Sequence, residues 1–390
     1  IAREGAGDSP VIGLAASARP GTAAFINGTA GTTLELDEGN QYARGHPAIH
    51  VVPALLAAPR GDGAALLVAL ALGYELGSRV GIASKLNVAT HPHGTWGTLG
   101  AAMGVAKTHG AGADEMRAVI NIASTLGLAT SRRTMLEGGT VRNTYCGVSN
   151  MLGLTAWDLV RAGFEGERDG VATIFGHVAG SDFKPEEMTR DLGTRWEIAR
   201  NYFKRHAACR YTHGALDAMA AILARTGALA PDAVRRIEVD TYVWAAQLDS
   251  PAAPNMLAAK FSIPFALATF VTHGAATVPA FRGPAREDPA IQALAARATV
   301  NEDPALTAQL PGLRPARVRV TLADGSTHAA EVTTNRGDTE DPYSEAEVRE
   351  KFRDLAGPVY GADRARAIED AVMALGPHRE ASALTELLAR

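Results

Sequence analysis

Apolar and small side chains recur every three or four positions along the first part of the chain, the period of an α-helix. From Gly63 onward, Ala64, Leu67, Ala71, Tyr74 and Ser78 mark one such face. Thr95 to Lys107 repeats the pattern with Gly97, Gly100, Ala101 and Gly104, a small-residue face that lets a second helix approach closely. A third helix is expected after Gly112, where Asp114 and Glu115 suit the positive end of the helix dipole, and it should run to about Thr125. A fourth should run from about Cys146 to Arg161 and end at Gly163. Proline favours the first helical turn, so His46-Pro47 and His91-Pro92 each place a histidine at an expected helix start.

The pattern changes after Asn201. A helix from His213 to about Thr226 precedes Ile237, Val239, Thr241 and Val243, which alternate with polar neighbours as a half-buried strand does. Another helix should begin near Ala259 and cover Phe265 to Val271. Ala316 to Thr334 alternates on both sides of Asp324-Gly325, a strong hairpin signal. Helices return at Ser344, whose spacing to Glu347 resembles a capping box, and Leu384 to Arg390 reads as a closing helix. The expected fold is mainly α with an α+β second domain. A large all-helical domain covers 1–200, a smaller α+β lid covers 201–336, and 337–390 returns to the helical domain.

Composition narrows the function. The 390 residues are 46% hydrophobic and 21% charged, which excludes disorder. With 38 basic and 42 acidic residues and only 6% aromatics, no nucleic-acid partner is expected. The longest apolar stretch, Gly63 to Tyr74, is closed by Glu75 and Arg79, short of the roughly 20 residues of a membrane span, so no membrane partner is expected either. Cys146 and Cys209 form no disulfide framework, and a reducing, cytoplasmic setting is the expectation. The chain opens on Ile1 rather than methionine, so residue 1 is not expected to be the native start.

No Walker loop, dinucleotide-binding glycine fingerprint, Gly-x-Ser-x-Gly elbow or His-Glu-x-x-His occurs, so no nucleotide cofactor and no common hydrolase mechanism is supported. Three polar islands remain. The first, Asp37 through Gln41 and Arg44 to His46, puts an acid, an amide and a cation beside a histidine that the helix dipole would keep neutral. Its other reading is a solvent loop with a capping Asp. The second, His91-Pro92-His93, joins His46 and His50 as a set that suggests a metal. Zinc sites usually add cysteine, however, and Pro47 breaks the helical spacing of His46 and His50. No metal is expected, and His46 and His91 read better as a proton-transfer pair. The third island gathers Lys204, Arg205, Arg210 and His213, which with Arg142 and Arg132-Arg133 would form a carboxylate-binding cleft. A basic loop facing water is the alternative. Cys209 reads as a buried spectator thiol more readily than as a nucleophile.

These islands, in this order, resemble the MmgE/PrpD family, which includes 2-methylcitrate dehydratase, cis-aconitate decarboxylase and iminodisuccinate epimerase. The matching segments are Leu36-Asp37 through His46-Pro47, His91-Pro92 through Gly100, Lys204 through His213, Ala259 through Phe265, and Asp341 through Phe352. The resemblance implies a homodimer, an active site between the domains, no organic cofactor, and active-site positions at Asp37, His46, His91 and Lys204. Arg142, Cys209 and Phe265 stand where family members often carry Lys, His and Tyr. Those departures argue against cis-aconitate decarboxylase itself and leave dehydration, isomerisation or epimerisation open.

The expected function is therefore a cofactor-independent hydro-lyase acting on a small di- or tricarboxylate by proton abstraction next to a carboxylate. His91 or His46 would be the base and Asp37 its orienter. Lys204, Arg142, Arg210 and the Gln41 amide would hold carboxylates, with Cys209 beside them, and Lys204 is alternatively the acid that assists a leaving hydroxyl. An epimerase of a small dicarboxylate and a non-catalytic carboxylate-binding relative are the competing readings.

Overall fold

The computed structural model describes residues 7–389, so the first residues of the chain and the expected helical end at Arg390 lie outside the described residues. The first part of the chain folds into helices α1 (Pro20–Thr33), α2 (Pro47–Ala57), α3 (Gly63–Ala83), α4 (Gly97–Thr108), α5 (Ala113–Thr125) and α6 (Tyr145–Arg161). Their starts follow local chemistry. Asp62 caps α3 by accepting the Ala65 N–H at 2.9 Å, and the Glu115 carboxylate accepts the Gly112 N–H at 3.1 Å. Small residues then set the packing. A Cβ at Gly100 would lie 2.7 Å from the Gly73 carbonyl, and one at Gly147 would lie 2.3 Å from the Phe25 carbonyl. Helices α3 and α4, and likewise α1 and α6, meet backbone to backbone.

The lid is built on the strands β1 (Val234–Thr241), β2 (Ala298–Glu302), β3 (Ala316–Leu322) and β4 (Thr327–Val332), ordered β4-β3-β1-β2. β1 runs parallel to β2 and antiparallel to β3. Ile237, Val239 and Val318 share a core with α7 (His213–Thr226), α8 (Met256–Lys260) and α9 (Ile263–His273). The chain then returns through α10 (Glu345–Tyr360), α11 (Ala362–Met373) and α12 (Ala381–Leu388). Ile368 of α11 and Ala381 and Leu384 of α12 share a core with Val51 and Leu55 of α2 and Leu66 of α3.

Several local expectations are corrected. On α3, Leu67 is 45% exposed and Ala64 and Ala71 are half-buried, whereas Leu66, Ala69 and Gly73 are buried. The stripe is displaced because α2 and α4 cover a broader arc than one helical face. Nor do Glu75 and Arg79 end the apolar run. They pair at 2.6 Å inside the protein, Arg79 donates to the carbonyls of Glu187, Arg190 and Arg195, and Glu75 accepts the Glu197 N–H. The 21-residue α3 is thereby long and apolar enough to cross a membrane, but it is clasped by protein at its charged end. Pro92 starts no helix: His91 to Trp96 turns through Gly94, whose φ of +84° breaks helical geometry, and α4 begins at Gly97. The helix expected from Ala259 is two helices, because the Ser262 hydroxyl caps a new one at the Phe265 N–H. Strand β1 stops at Thr241, and Val243 opens a short helical turn.

Gly100→Ala should lower unfolding stability by about 1–3 kcal/mol, the usual cost of overpacking a tight interface. Gly112→Ala, where nothing lies within 4 Å of the added carbon, should change it by less than about 0.5 kcal/mol. Urea unfolding of both variants checks the difference.

Candidate active site

A two-residue antiparallel ladder pairs Gly39–Asn40 with Asn201–Tyr202 and joins the first polar island to the start of the lid. Lys204 then reaches Asp37, with Nζ 3.0 Å from Oδ1. Glu35, in the left-handed region at φ 54°, turns its carboxylate onto Arg142. The main chain of the same loop is held as well. Lys260 donates to the Thr33 carbonyl at 2.9 Å, and Lys351 from α10 donates to the Leu36 carbonyl at 2.8 Å.

His46 precedes α2 and donates through Nδ1 to the Glu38 carbonyl, with Asp37 Oδ2 3.3 Å from the same nitrogen. Those partners put the proton on Nδ1 and leave Nε2 a lone-pair acceptor. His91 carries the opposite tautomer: its Nδ1 accepts the His93 N–H at 3.1 Å, so the proton sits on Nε2. The His93 ring stands between them, 4.7 Å from His46 and 4.8 Å from His91. The site thus joins an acceptor imidazole to a donor imidazole.

Burial pushes the His46 imidazole down to about 3 despite the pull of Asp37, and it holds His91 and His93 well below the usual range, helped by the Arg142 charge. The shift runs in the direction expected from the helix dipole, with desolvation as its first cause. For Asp37, burial alone would raise the carboxyl, yet the charges of His46, Lys204 and Arg142 hold it well below the carboxylate range. Glu38, whose side chain accepts the Ala48 N–H, is pushed up to about 8 by burial.

His46, His91 and His93 open onto a narrow cavity, about 40 Å³, shared with Tyr202 and Cys209. Five arginines also line it: Arg44, Arg132, Arg142, Arg210 and Arg314. Arg142 is paired with Glu35 and Arg210 with Asp338. Arg44, Arg132 and Arg314 have no carboxylate partner among the described residues. Arg314 is the most unusual. It is 3% exposed and its Nη2 donates to the Gln41 carbonyl at 3.0 Å, while Nε and Nη1 have no partner. The Nε atoms of Arg132, Arg142 and Arg210 are also unpartnered. The Tyr202 ring lies under two of these guanidinium groups, 4.5 Å from that of Arg210 and 5.7 Å from that of Arg314.

Of the residues singled out in the sequence, His46, His91, Arg142, Cys209 and Arg210 line this cavity. Three do not. Asp37 stands behind His46, and Lys204 is committed to Asp37 rather than free to hold a carboxylate. Gln41 is 4% exposed and contributes its main-chain carbonyl to Arg314, not its amide. The Cys209 thiol is pushed up to about 11 by burial, which keeps it protonated. Phe265 packs on Phe281 in the lid core, so its difference from tyrosine does not touch the cavity, where Phe261 appears instead. Arg133 and Arg205 pair with Glu137 and Glu350 away from it. The sequence reading missed Glu35, Tyr202 and Arg314. Tyr202 adjoins the third island and was within reach, whereas Arg314 sits alone between Leu313 and Pro315 with no local signal. Among the described residues, two groups carry metal-ligating atoms within 4.8 Å of one another: His50, His93 and Cys146, and Asp37, His46 and His93.

Two family models match the chain, the MmgE/PrpD N-terminal domain over residues 2–184 and the MmgE/PrpD C-terminal domain over residues 206–376. The chain is similar to the cis-aconitate decarboxylase-like protein oryM of Aspergillus oryzae, 28% identical over 97% of this chain and 84% of that protein. It is also similar to the cis-aconitate decarboxylase of Aspergillus terreus, 26% identical over 97% of this chain and 83% of that protein. The human cis-aconitate decarboxylase is 25% identical over 95% of this chain and 79% of its own length.

The buried neutral imidazoles predict the acid response of the fold. His46 at about 3 and His50 at about 4 bind fewer protons folded than unfolded, where they titrate near 6.5, and His91, His93 and His213 shift the same way. Stability should therefore fall as pH drops from about 6.5 to 4, by about 1.4 kcal/mol per pH unit for each proton taken up only by the unfolded chain. Glu38 acts in the opposite sense with a single proton between 4.5 and about 8. A flat denaturation profile from pH 6.5 to 4 would contradict the neutral assignment.

Proposed function

The chain belongs to the MmgE/PrpD family, and on that premise we propose that it is a cofactor-independent lyase acting on a small tricarboxylate. The observation that carries this reading is Arg314. A buried guanidinium without a counter-charge costs several kcal/mol, and a substrate carboxylate offers both the charge and the acceptors its Nε and Nη1 lack. Arg132 and Arg44, which also line the cavity, add two further cations without carboxylate partners among the described residues. Three uncompensated cations suit a substrate with three carboxylates.

The imidazoles assign the proton traffic. His46 Nε2 takes the proton from the carbon next to a carboxylate as that C–H bond breaks, and Asp37 stabilises the imidazolium that forms. His91 donates its Nε2–H to the carboxylate oxygen on which negative charge develops. The electron pair then forms the C=C bond as the C–O bond breaks, and the His46 proton leaves with the hydroxide as water. This is the dehydratase reading, and a resting enzyme whose acceptor imidazole is unprotonated favours it. The names of the relatives favour a second reading, decarboxylation. There the C–C bond to a carboxylate breaks, carbon dioxide leaves, and the electron pair left on carbon takes a proton from the Tyr202 phenol, which burial keeps protonated. Both readings use the same arginine wall.

Citrate, 2-methylcitrate, cis-aconitate and iminodisuccinate, offered in turn with product detection, separate the readings. Loss of water from a hydroxylated tricarboxylate supports dehydration, and carbon dioxide from cis-aconitate supports decarboxylation. Thermal stabilisation by the panel without any product would favour a non-catalytic carboxylate binder. Arg314→Met should lower kcat/KM by about 10²–10³-fold, the loss expected for one pre-organised donor. In deuterium oxide, His46→Gln should abolish wash-in at the acidic carbon, while His91→Gln should slow it. Undiminished wash-in in His46→Gln would remove that imidazole from the base role.

A further inference from the structure

We propose that Cys146, His50 and His93 form a binding site for one thiophilic divalent cation of the Zn2+ type. The sequence argued against metal because its histidines lacked a cysteine, and the fold supplies one. Cys146, in the first turn of α6, places Sγ 3.2 Å from His93 Nδ1 and 3.4 Å from His50 Nε2. Those separations are close to the roughly 3.5 Å between sulfur and nitrogen ligands of one tetrahedral ion, and the His50 and His93 nitrogens lie within 4.8 Å of each other.

The surroundings support the assignment. All three residues are at most 1% exposed. His50 donates its one ring proton, on Nδ1, to the His46 carbonyl at 2.8 Å, the outer contact that usually orients a metal-ligating imidazole. Its ring is seated against Gly97, where a Cβ would come within 2.3 Å, so the ligand is held before any metal arrives. His93 also lines the cavity, so one edge of the site borders it. The alternative set of Asp37, His46 and His93 is weaker, because His46 Nδ1 already donates to the Glu38 carbonyl.

Binding is a simple exchange without redox change. The Cys146 S–H bond breaks, its proton passes to solvent, and a sulfur–metal bond forms. His93 Nδ1 and His50 Nε2 bind through lone pairs, the latter giving up its contact with the Gly94 N–H.

Co2+, which takes the same geometry, serves as a visible probe on the chelator-treated full chain. One equivalent should produce a thiolate-to-cobalt charge-transfer band and four-coordinate d–d absorption, release one proton, and be displaced by Zn2+. Cys146→Ser should lose the band and Cys209→Ser should keep it. No thiolate band in the wild type, or a band that survives Cys146→Ser, overturns the proposal. X-ray absorption of the cobalt-loaded wild type needs no variant: one sulfur with imidazole nitrogens supports the site, and a shell without sulfur overturns it.

Discussion

A short acidic loop, Glu35 to Glu38, is the constraint on which the site depends. Glu35 and Asp37 are almost wholly buried, and buried carboxylates persist only where cations meet them. Arg142 from the helical part and Lys204 from the lid supply that charge, while Lys260 from α8 and Lys351 from α10 hold the loop's carbonyls. Segments far apart in sequence therefore converge on one loop, and the loop in turn places Asp37 against His46. Removing one partner would leave an uncompensated charge inside the protein, so the same contacts join the parts of the chain and orient the proton acceptor.

Behind the loop the charges balance, and in the cavity they do not. Arg142 and Arg210 have their own carboxylates, yet Arg44, Arg132 and Arg314 line the cavity with no carboxylate partner among the described residues. The imidazoles among them stay neutral because burial and the nearby arginines both disfavour another positive charge. A polyanion entering this space would satisfy the guanidinium donors and make protonation of His46 easier at the moment it accepts a proton. Binding and proton transfer are thus linked through one electrostatic field.

The parts of the molecule read correctly from sequence share a common character. The bounds of α5 and α7, the β3–β4 hairpin and the Ser344 cap each depend on residues a few positions apart, and such patterns survive folding. The polar islands held His46, His91 and Arg210, which line the cavity together with Arg142. The errors also share a character. Leu67 was placed on the buried face of α3 and Glu75 at the end of an apolar run, because a helical period cannot say how wide an arc its neighbours cover or whether a charge meets a partner.

The sequence by itself determined much of the secondary structure, the small-residue helix crossings and the residue types brought to the site, since these follow from local periodicity, capping and composition. Only the tertiary structure decided which charge met which. It spent Lys204 on Asp37, left Arg314 unpaired beside Tyr202, gave His46 and His91 opposite tautomers, and brought Cys146 to His50 and His93. Apart from the tautomers, which are set within the local islands, those outcomes depend on approaches between residues 53 to 273 positions apart, and at that separation no pattern along the chain carries the distance that sets a charge or a hydrogen bond.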